Sequence, residues 1–233
     1  MLTYCIVRIF EITLRIIPTR TWSSEALTGV DFFSLPPLHG DLDIDLKINP
    51  SLKGAFKTAH SGTINLYNGV LPPPLSGNVC VKQAFYSDPD GPVRRYDSSE
   101  EKTLIQTEVG CLDWARILLN LTYEFINTHD EECGDFPGTI PQLRFVEAAI
   151  ARPNRGKFFL VEEWIDTSEV PFTKYINNAR AVSCISQYAP EEAQNTTNFL
   201  CFSQHVQYQF TSGTLFTSDY QGMSQALSAQ ISS

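Results

Sequence analysis

The chain has 233 residues, 42% hydrophobic and 18% charged, which suits a globular protein of one large domain or two small lobes. A net charge of -9 with no basic stripe argues against nucleic-acid binding and against anionic lipid surfaces; Arg94-Arg95 is the nearest approach to a basic patch. Six scattered cysteines, no CxxC and no clean secretory signal point to buried free thiols in an intracellular, cytoplasmic protein.

"MLTYCIVRIFEITLRIIPTRTW" opens the chain, apolar but interrupted by Arg8, Glu11 and Arg15. At helical spacing those charges share one face, so residues 1–30 read as an N-terminal extension carrying an amphipathic helix. The same charges exclude a membrane span. "DLDIDLKI" alternates charged and aliphatic residues and reads as a half-buried strand. "GAFKTAHSGTINLYN" reads as two strands joined at Ser61-Gly62, and "LPPPLSG" as a loop. "NVCVKQAFY" is a short strand with Val79 and Val81 on one face and Cys80 and Lys82 on the other.

After a polar loop, residues 103–128 carry one apolar stripe through Leu112, Ala115, Leu118, Leu119, Thr122 and Phe125, which predicts a helix. "IPQLRFVEAAIAR" and "KFFLVEEWI" predict a hairpin around "PNRG", and "VPFTKYINNA" a strand running into a loop. "EEAQNTTNFLCFSQHVQYQF" predicts a helix that starts after Pro190, followed by the strand "TLFTSDY".

Three groups of residues could carry chemistry. Lys82 lies within an apolar strand and needs an anionic partner, because an unpaired buried ammonium is costly. ATP phosphates and a structural glutamate both satisfy that need. Asp219 and Gln221 flank Tyr220; in a strand they share a face and could hold one hard cation such as Mg²⁺, or could form a solvated turn. Glu162-Glu163 read locally as an exposed acidic pair at a strand end. The histidines lack metal-ligand spacing, and His205 reads as a core or capping residue. No G-x-G-x-x-G, G-x-x-x-x-G-K-[ST], H-R-D or D-F-G occurs, which removes P-loop and ordinary protein-kinase readings.

Taken in order, "GAFKTAHSG", "VCVKQAF", "LDWARILLNLTYEFI", "FLVEEWI", "PFTKYINN" and "FLCFSQHVQYQFTSGTLFTSDYQG" resemble the alpha-type protein kinases. That atypical family includes the myosin heavy chain, elongation-factor and channel-linked kinases, and the resemblance is to its fungal-type isolated domains. It runs from about Gly54 to Gly222. It implies an α+β, two-lobed protein-kinase-like fold with a β-rich N-lobe, an incomplete C-lobe and a cleft between them. The domain would span 31–222, with the lobe boundary near 164–178 and a tail at 223–233.

The implied activity is ATP-dependent transfer of the γ-phosphate to a Ser or Thr hydroxyl of a protein substrate. Lys82 takes the role of the phosphate-contacting catalytic lysine. Asp219, also catalytic, and Gln221 take Mg²⁺. Glu162 and Glu163 fall near the adenine, and Asn177 or Asn178 near the nucleotide. Tyr220 stands where the family usually has Leu. No Asp, Glu, Gly, His or Cys follows Gly222, so the family's downstream catalytic aspartate, Gly-rich loop and zinc module have nothing to match. The expectation is a C-terminally truncated domain, with a catalytically impaired pseudokinase or a nucleotide- or partner-binding module as the alternative.

Overall fold

The structure, a computed structural model, describes residues 7–22, 30–45, 57–86, 94–129, 139–154, 156, 158–166, 168, 172–178, 182–223 and 226–232. In chain order the first elements are β1 (Val7–Ile16), β2 (Leu38–Asp45), β3 (Lys57–Leu66), β4 (Asn78–Ala84) and α1 (Ser98–Thr128). They are followed by β5 (Arg144–Phe145), β6 (Ala148–Pro153), β7 (Phe159–Glu163) and β8 (Thr173–Lys174). The last are α2 (Glu191–Phe210), β9 (Phe216–Gly222) and β10 (Ala226–Ser232). The chain divides into two compact units, Met1–Ile17 with Asp31–Val109 and Glu147–Trp164, and Pro18–Val30 with Gly110–Val146 and Ile165–Ser233.

In the first unit, six strands close a barrel in the order β1-β2-β3-β4-β7-β6, and every pairing is antiparallel. Period-two alternation fills its interior: Ile12 and Leu14, Leu42 and Ile44, and Val79 and Val81 are all buried in one apolar core.

The N-terminal helix expected from the sequence is therefore a strand. Arg8, Glu11 and Arg15 do recur at helical spacing, but Ile12 and Leu14 recur at spacing two. The segment is also rich in β-branched side chains, which are stiff at χ1 and pack well on a pleated surface. With barrel partners on both edges, the strand wins.

A second correction concerns Ser61-Gly62. The chain does not turn there: β3 runs straight through both residues. A Cβ on Gly62 would lie 2.7 Å from the Asp43 carbonyl oxygen and 2.9 Å from Val81 Cγ2, so the glycine permits close approach inside the barrel.

In the second unit, a four-stranded sheet runs in the order β5-β10-β9-β8. β10 pairs antiparallel with β9 and parallel with β5, so residues read as a tail form an interior strand of this sheet. Gly222 ends β9 with φ +151, and a Cβ there would meet the Ala226 carbonyl oxygen at 2.1 Å. Only glycine fits that approach.

α2 starts after Pro190, as its fixed φ and the acidic first turn favour. Its buried face is partly polar: Ser203, Gln204 and Gln207 lie among Phe199, Leu200 and Val206. His205 is exposed, so it is not core, and it lies inside α2 and not at its caps, Pro190 and Thr211. Among the described residues, no helix is long and apolar enough to cross a membrane. Cys80, Cys111, Cys184 and Cys201 are not in disulfides, and Cys184 is exposed; Cys5 and Cys133 lie outside the described residues.

Candidate functional site

Lys82 lies on the outer face of the barrel, because Val79 and Val81 claim the inner face of β4. β4 pairs with β7 in a register that sets Cys80 opposite Glu162 and Lys82 opposite Leu160, so Lys82 and Glu162 are diagonal neighbours on one face. Lys82 Nζ stands 2.6 Å from Glu162 Oε2, with the two side chains 22% and 9% exposed. Of the two partners the sequence left open, the glutamate is the one in place here.

Burial, the largest single influence, pulls the Lys82 ammonium's pKa down, and the facing Glu162 carboxylate, Cys80 and Glu108 together outweigh it. The net pKa stands above the ordinary lysine value. Burial likewise pushes the Cys80 thiol up to about 11; Lys82 opposes that shift and Glu162 adds to it. Cys80 is therefore a protonated, unreactive thiol.

Glu163 faces the other way. Its Oε2 accepts from Glu147 N at 2.7 Å, and its own N–H donates to the Glu147 carbonyl at 2.9 Å. The acidic pair expected at an exposed strand end is thus buried on both sides, because β7 is an interior barrel strand between β4 and β6.

The sequence reading missed a second ion pair in this unit. Arg95 pairs with the buried Glu101 in the first turn of α1, and its Nη2 donates to the Phe158 carbonyl at 2.9 Å. Glu101 in turn accepts from Phe158 N at 3.0 Å. One arginine and one glutamate therefore tie the start of α1 to the start of β7. Lys57 pairs with Glu108, about two helical turns further along α1.

Asp219 belongs to the second unit. It is a buried residue of β9 with φ +56, in the left-handed region that non-glycine residues seldom occupy and that Asp tolerates better than most. Strict alternation fails here: Thr217, Ser218, Asp219 and Tyr220 are buried in succession and Gln221 is half-buried. The sequence argument that Asp219 and Gln221 share a face assumed a regular strand, and β9 is not one.

A polar network behind β9 holds this backbone. Gln207 accepts from Thr217 N through Oε1 at 2.7 Å, and its Nε2 donates to Ser203 Oγ at 2.8 Å and the Tyr220 hydroxyl at 3.3 Å. Gln204 Nε2 donates to the Thr217 carbonyl at 2.9 Å, and Ser203 Oγ meets Thr122 Oγ1 at 2.9 Å. The Tyr220 hydroxyl thus has a buried partner of its own, which accounts physically for a tyrosine at this core position. The signal for this network was two glutamines three apart on an apolar helical face, and it passed unread.

The Asp219 carboxylate faces an edge strand. Lys174 of β8 places Nζ 2.5 Å from Oδ1, although Oδ1 makes no hydrogen bond. The backbone N–H groups of Tyr175 and Ile176 both donate to the Tyr220 carbonyl, at 2.9 and 3.3 Å, which fixes β8 against β9. Asn177, half-buried, and Asn178, exposed, follow directly.

Mg²⁺ sites commonly take one or two protein oxygens and fill the rest with phosphate and water; of the two residues expected to hold one, Asp219 presents a buried carboxylate and Gln221 a half-buried amide. Asp219 offers a buried carboxylate oxygen without a hydrogen bond, and a cation already stands against it. Among the described residues, no group of three or more His, Cys, Asp or Glu is placed to hold a metal.

A family model described as the alpha-kinase family matches residues 53–230. The chain belongs to the alpha-kinase family. The matched region contains Lys82, Glu162, Glu163, Lys174, Asn177, Asn178, Asp219 and Gln221, and it takes in most of β10.

The fold agrees with solved alpha-kinase structures. The chain resembles the apoenzyme alpha-kinase domain of myosin-II heavy chain kinase A at TM-score 0.52 and 13% identity, covering 95% of this chain and 82% of that one. An alpha kinase from Entamoeba histolytica gives TM-score 0.54 at 14% identity, over 99% of this chain and 78% of that one. The myosin heavy chain kinase A domain in complex with ADP gives 0.52 at 11%, over 95% and 82%. At such identities the likeness is one of fold: an α+β domain with a six-stranded barrel and helices. No curated protein matches the chain by sequence.

Proposed function

We propose that this chain is an ATP-dependent protein serine/threonine kinase domain of the alpha-kinase type, moving the ATP γ-phosphate to a hydroxyl of a protein substrate. The observation that carries the reading is Asp219: a buried carboxylate in a left-handed backbone, inside the family region, paired with the exposed Lys174. Backbone strain of this kind costs roughly 1–3 kcal/mol and persists where the surroundings over-determine it, commonly at functional sites.

Phosphoryl transfer asks the protein mainly for positioning and charge. Lys82 contacts the phosphates, and its raised pKa keeps the ammonium charged through neutral pH. Glu162 orients that ammonium and would border the adenine, as the family resemblance implies; Glu163, its carboxylate held by Glu147 N, would neighbour the adenine only through its place in the chain. Asn177 or Asn178 borders the nucleotide. Asp219 and, as the family resemblance implies, Gln221 would hold Mg²⁺ through hard oxygen donors. Mg²⁺, when bound, neutralises phosphate charge.

A second reading, a pseudokinase that binds nucleotide or a partner without transfer, has its own support. Lys82 and Asp219 each already have an internal counter-ion. The deciding experiment is incubation with γ-labelled ATP and Mg²⁺, scoring label on Ser or Thr of the chain and of a mixed protein acceptor. The kinase reading expects label that disappears in Lys82→Ala and in Asp219→Asn. Absence of label alongside intact Mg-ATP binding selects the second reading.

A further inference from the structure

We infer that the Asn68-Gly69 step, in the loop between β3 and β4, is a site of spontaneous covalent modification. The asparagine closes on the glycine nitrogen, loses ammonia and reopens as aspartate or isoaspartate. The inference is independent of the kinase reading and concerns the barrel unit alone.

The reaction needs a short side-chain amide beside an unhindered backbone nitrogen. This is the only Asn-Gly step in the chain. Both residues are exposed, just past the end of β3, next to Val70 at 87% exposure. Apart from its chain neighbours, no atom stands within 4 Å of where a Gly69 Cβ would sit, so the approach to its nitrogen is open. Among the described residues, neither the Asn68 amide nor the Gly69 N–H makes a hydrogen bond that would hold the two groups apart. Small and polar residues at exposed loop tips are also where local opening costs least.

The Gly69 nitrogen gives up its proton and bonds to Asn68 Cγ. The Cγ–Nδ2 bond breaks and ammonia leaves with that proton, which closes a cyclic imide. Water then opens the ring. Addition at Cγ gives aspartate; addition at the Asn68 backbone carbonyl carbon gives isoaspartate, with the main chain rerouted through Cβ and Cγ. Neither step needs an oxidant or a reductant.

Either product sets a new carboxylate beside Tyr67, whose hydroxyl donates to Asp41 at 2.7 Å. Asp41 already stands opposite Glu11 across the β1–β2 pair. Leu71 and Leu75, buried in the barrel core, pin the rest of the loop, so the change stays at its tip.

The test is peptide mapping by mass spectrometry after days in mildly alkaline buffer, with the full chain folded in one sample and held in urea in another. Asn68 is expected to be the first asparagine to convert, giving both products. Because opening an exposed loop tip costs close to nothing, the folded rate is expected within about fivefold of the rate in urea. Anion exchange of the intact chain should show a growing acidic species whose aspartate part coincides with Asn68→Asp. Asn68→Gln, whose longer side chain would have to close a larger ring, should lack that species. Conversion at Asn68 in urea alone, earlier conversion at another asparagine, or an acidic species that persists in Asn68→Gln would each overturn the inference.

Discussion

Lys82 and Asp219 carry the two charges on which the functional reading depends, and the chain holds them by opposite means. Lys82 stands on a regular strand of an apolar barrel, where alternation alone decides its face and one glutamate decides its direction. Asp219 sits in a left-handed kink of an irregular strand, braced by Gln204 and Gln207 and neutralised from the neighbouring edge strand. A regular strand positions a side chain through distributed apolar packing. A strained residue needs dedicated polar bonds to hold it.

That contrast can be broken from either side. The largest effect should come from the barrel: Leu42→Ala removes a fully buried side chain and is expected to cost about 2–5 kcal/mol in urea unfolding. A loss under ~1 kcal/mol would mean the core collapses around the gap and does not set the frame for Lys82.

Next in size is Gln207→Leu, which leaves Thr217 N without its partner and strips a hydrogen bond from Ser203 and from Tyr220. An unsatisfied buried donor costs about 1–3 kcal/mol. The sharper expectation is local: amide exchange should rise along β9 while the barrel strands keep their protection. Uniform loosening of both units would remove the contrast drawn here.

Glu162→Gln should have a smaller effect on stability, about 1 kcal/mol or less, because Lys82 is partly solvated. Its clearer readout is Lys82 itself. Without the carboxylate, burial is left to dominate, and the ammonium should titrate at lower pH by NMR than in the parent. An unmoved titration would assign the lysine's charge to other neighbours.

The smallest effect concerns His60 on β3. Burial holds its imidazole below the ordinary 6.5, so the folded protein keeps it neutral while the unfolded chain takes up a proton. The stability tied to the neutral ring is present above 6.5 and is lost as pH falls through the folded value. His60→Gln should flatten the acid side of the stability profile slightly; an unchanged slope would deny the ring any share in it.

How much was legible in the sequence follows the same division. The facing of Val79, Val81, Cys80 and Lys82 and the helix α1 came from periodicity, the β6–β7 hairpin from its turn residues and α2 from its start signal, because in these segments local pattern and tertiary burial agree. Periodicity misled at β1, where charges at helical spacing masked a period-two aliphatic row. It misled again at Gly62, where a glycine read as a turn instead serves close packing. The Lys82–Glu162 pair needed strand register, which no local pattern supplies. The Lys174–Asp219 pair was hidden more deeply, since it depends on an edge pairing between β8 and β9 and on a backbone kink at Asp219.

The most direct test of the account is a Mg-ATP titration of the melting temperature, with Lys82→Ala and Asp219→Asn in parallel. A ligand that binds only the folded state stabilises it by about 2.7 kcal/mol at a hundredfold excess over its dissociation constant. For a chain of this size that is a rise of several degrees, about 2–4 °C per kcal/mol. The account predicts a rise that needs both Mg²⁺ and ATP in the parent and vanishes in both variants. An equal rise in the parent and both variants, or none in the parent at millimolar nucleotide, would contradict it.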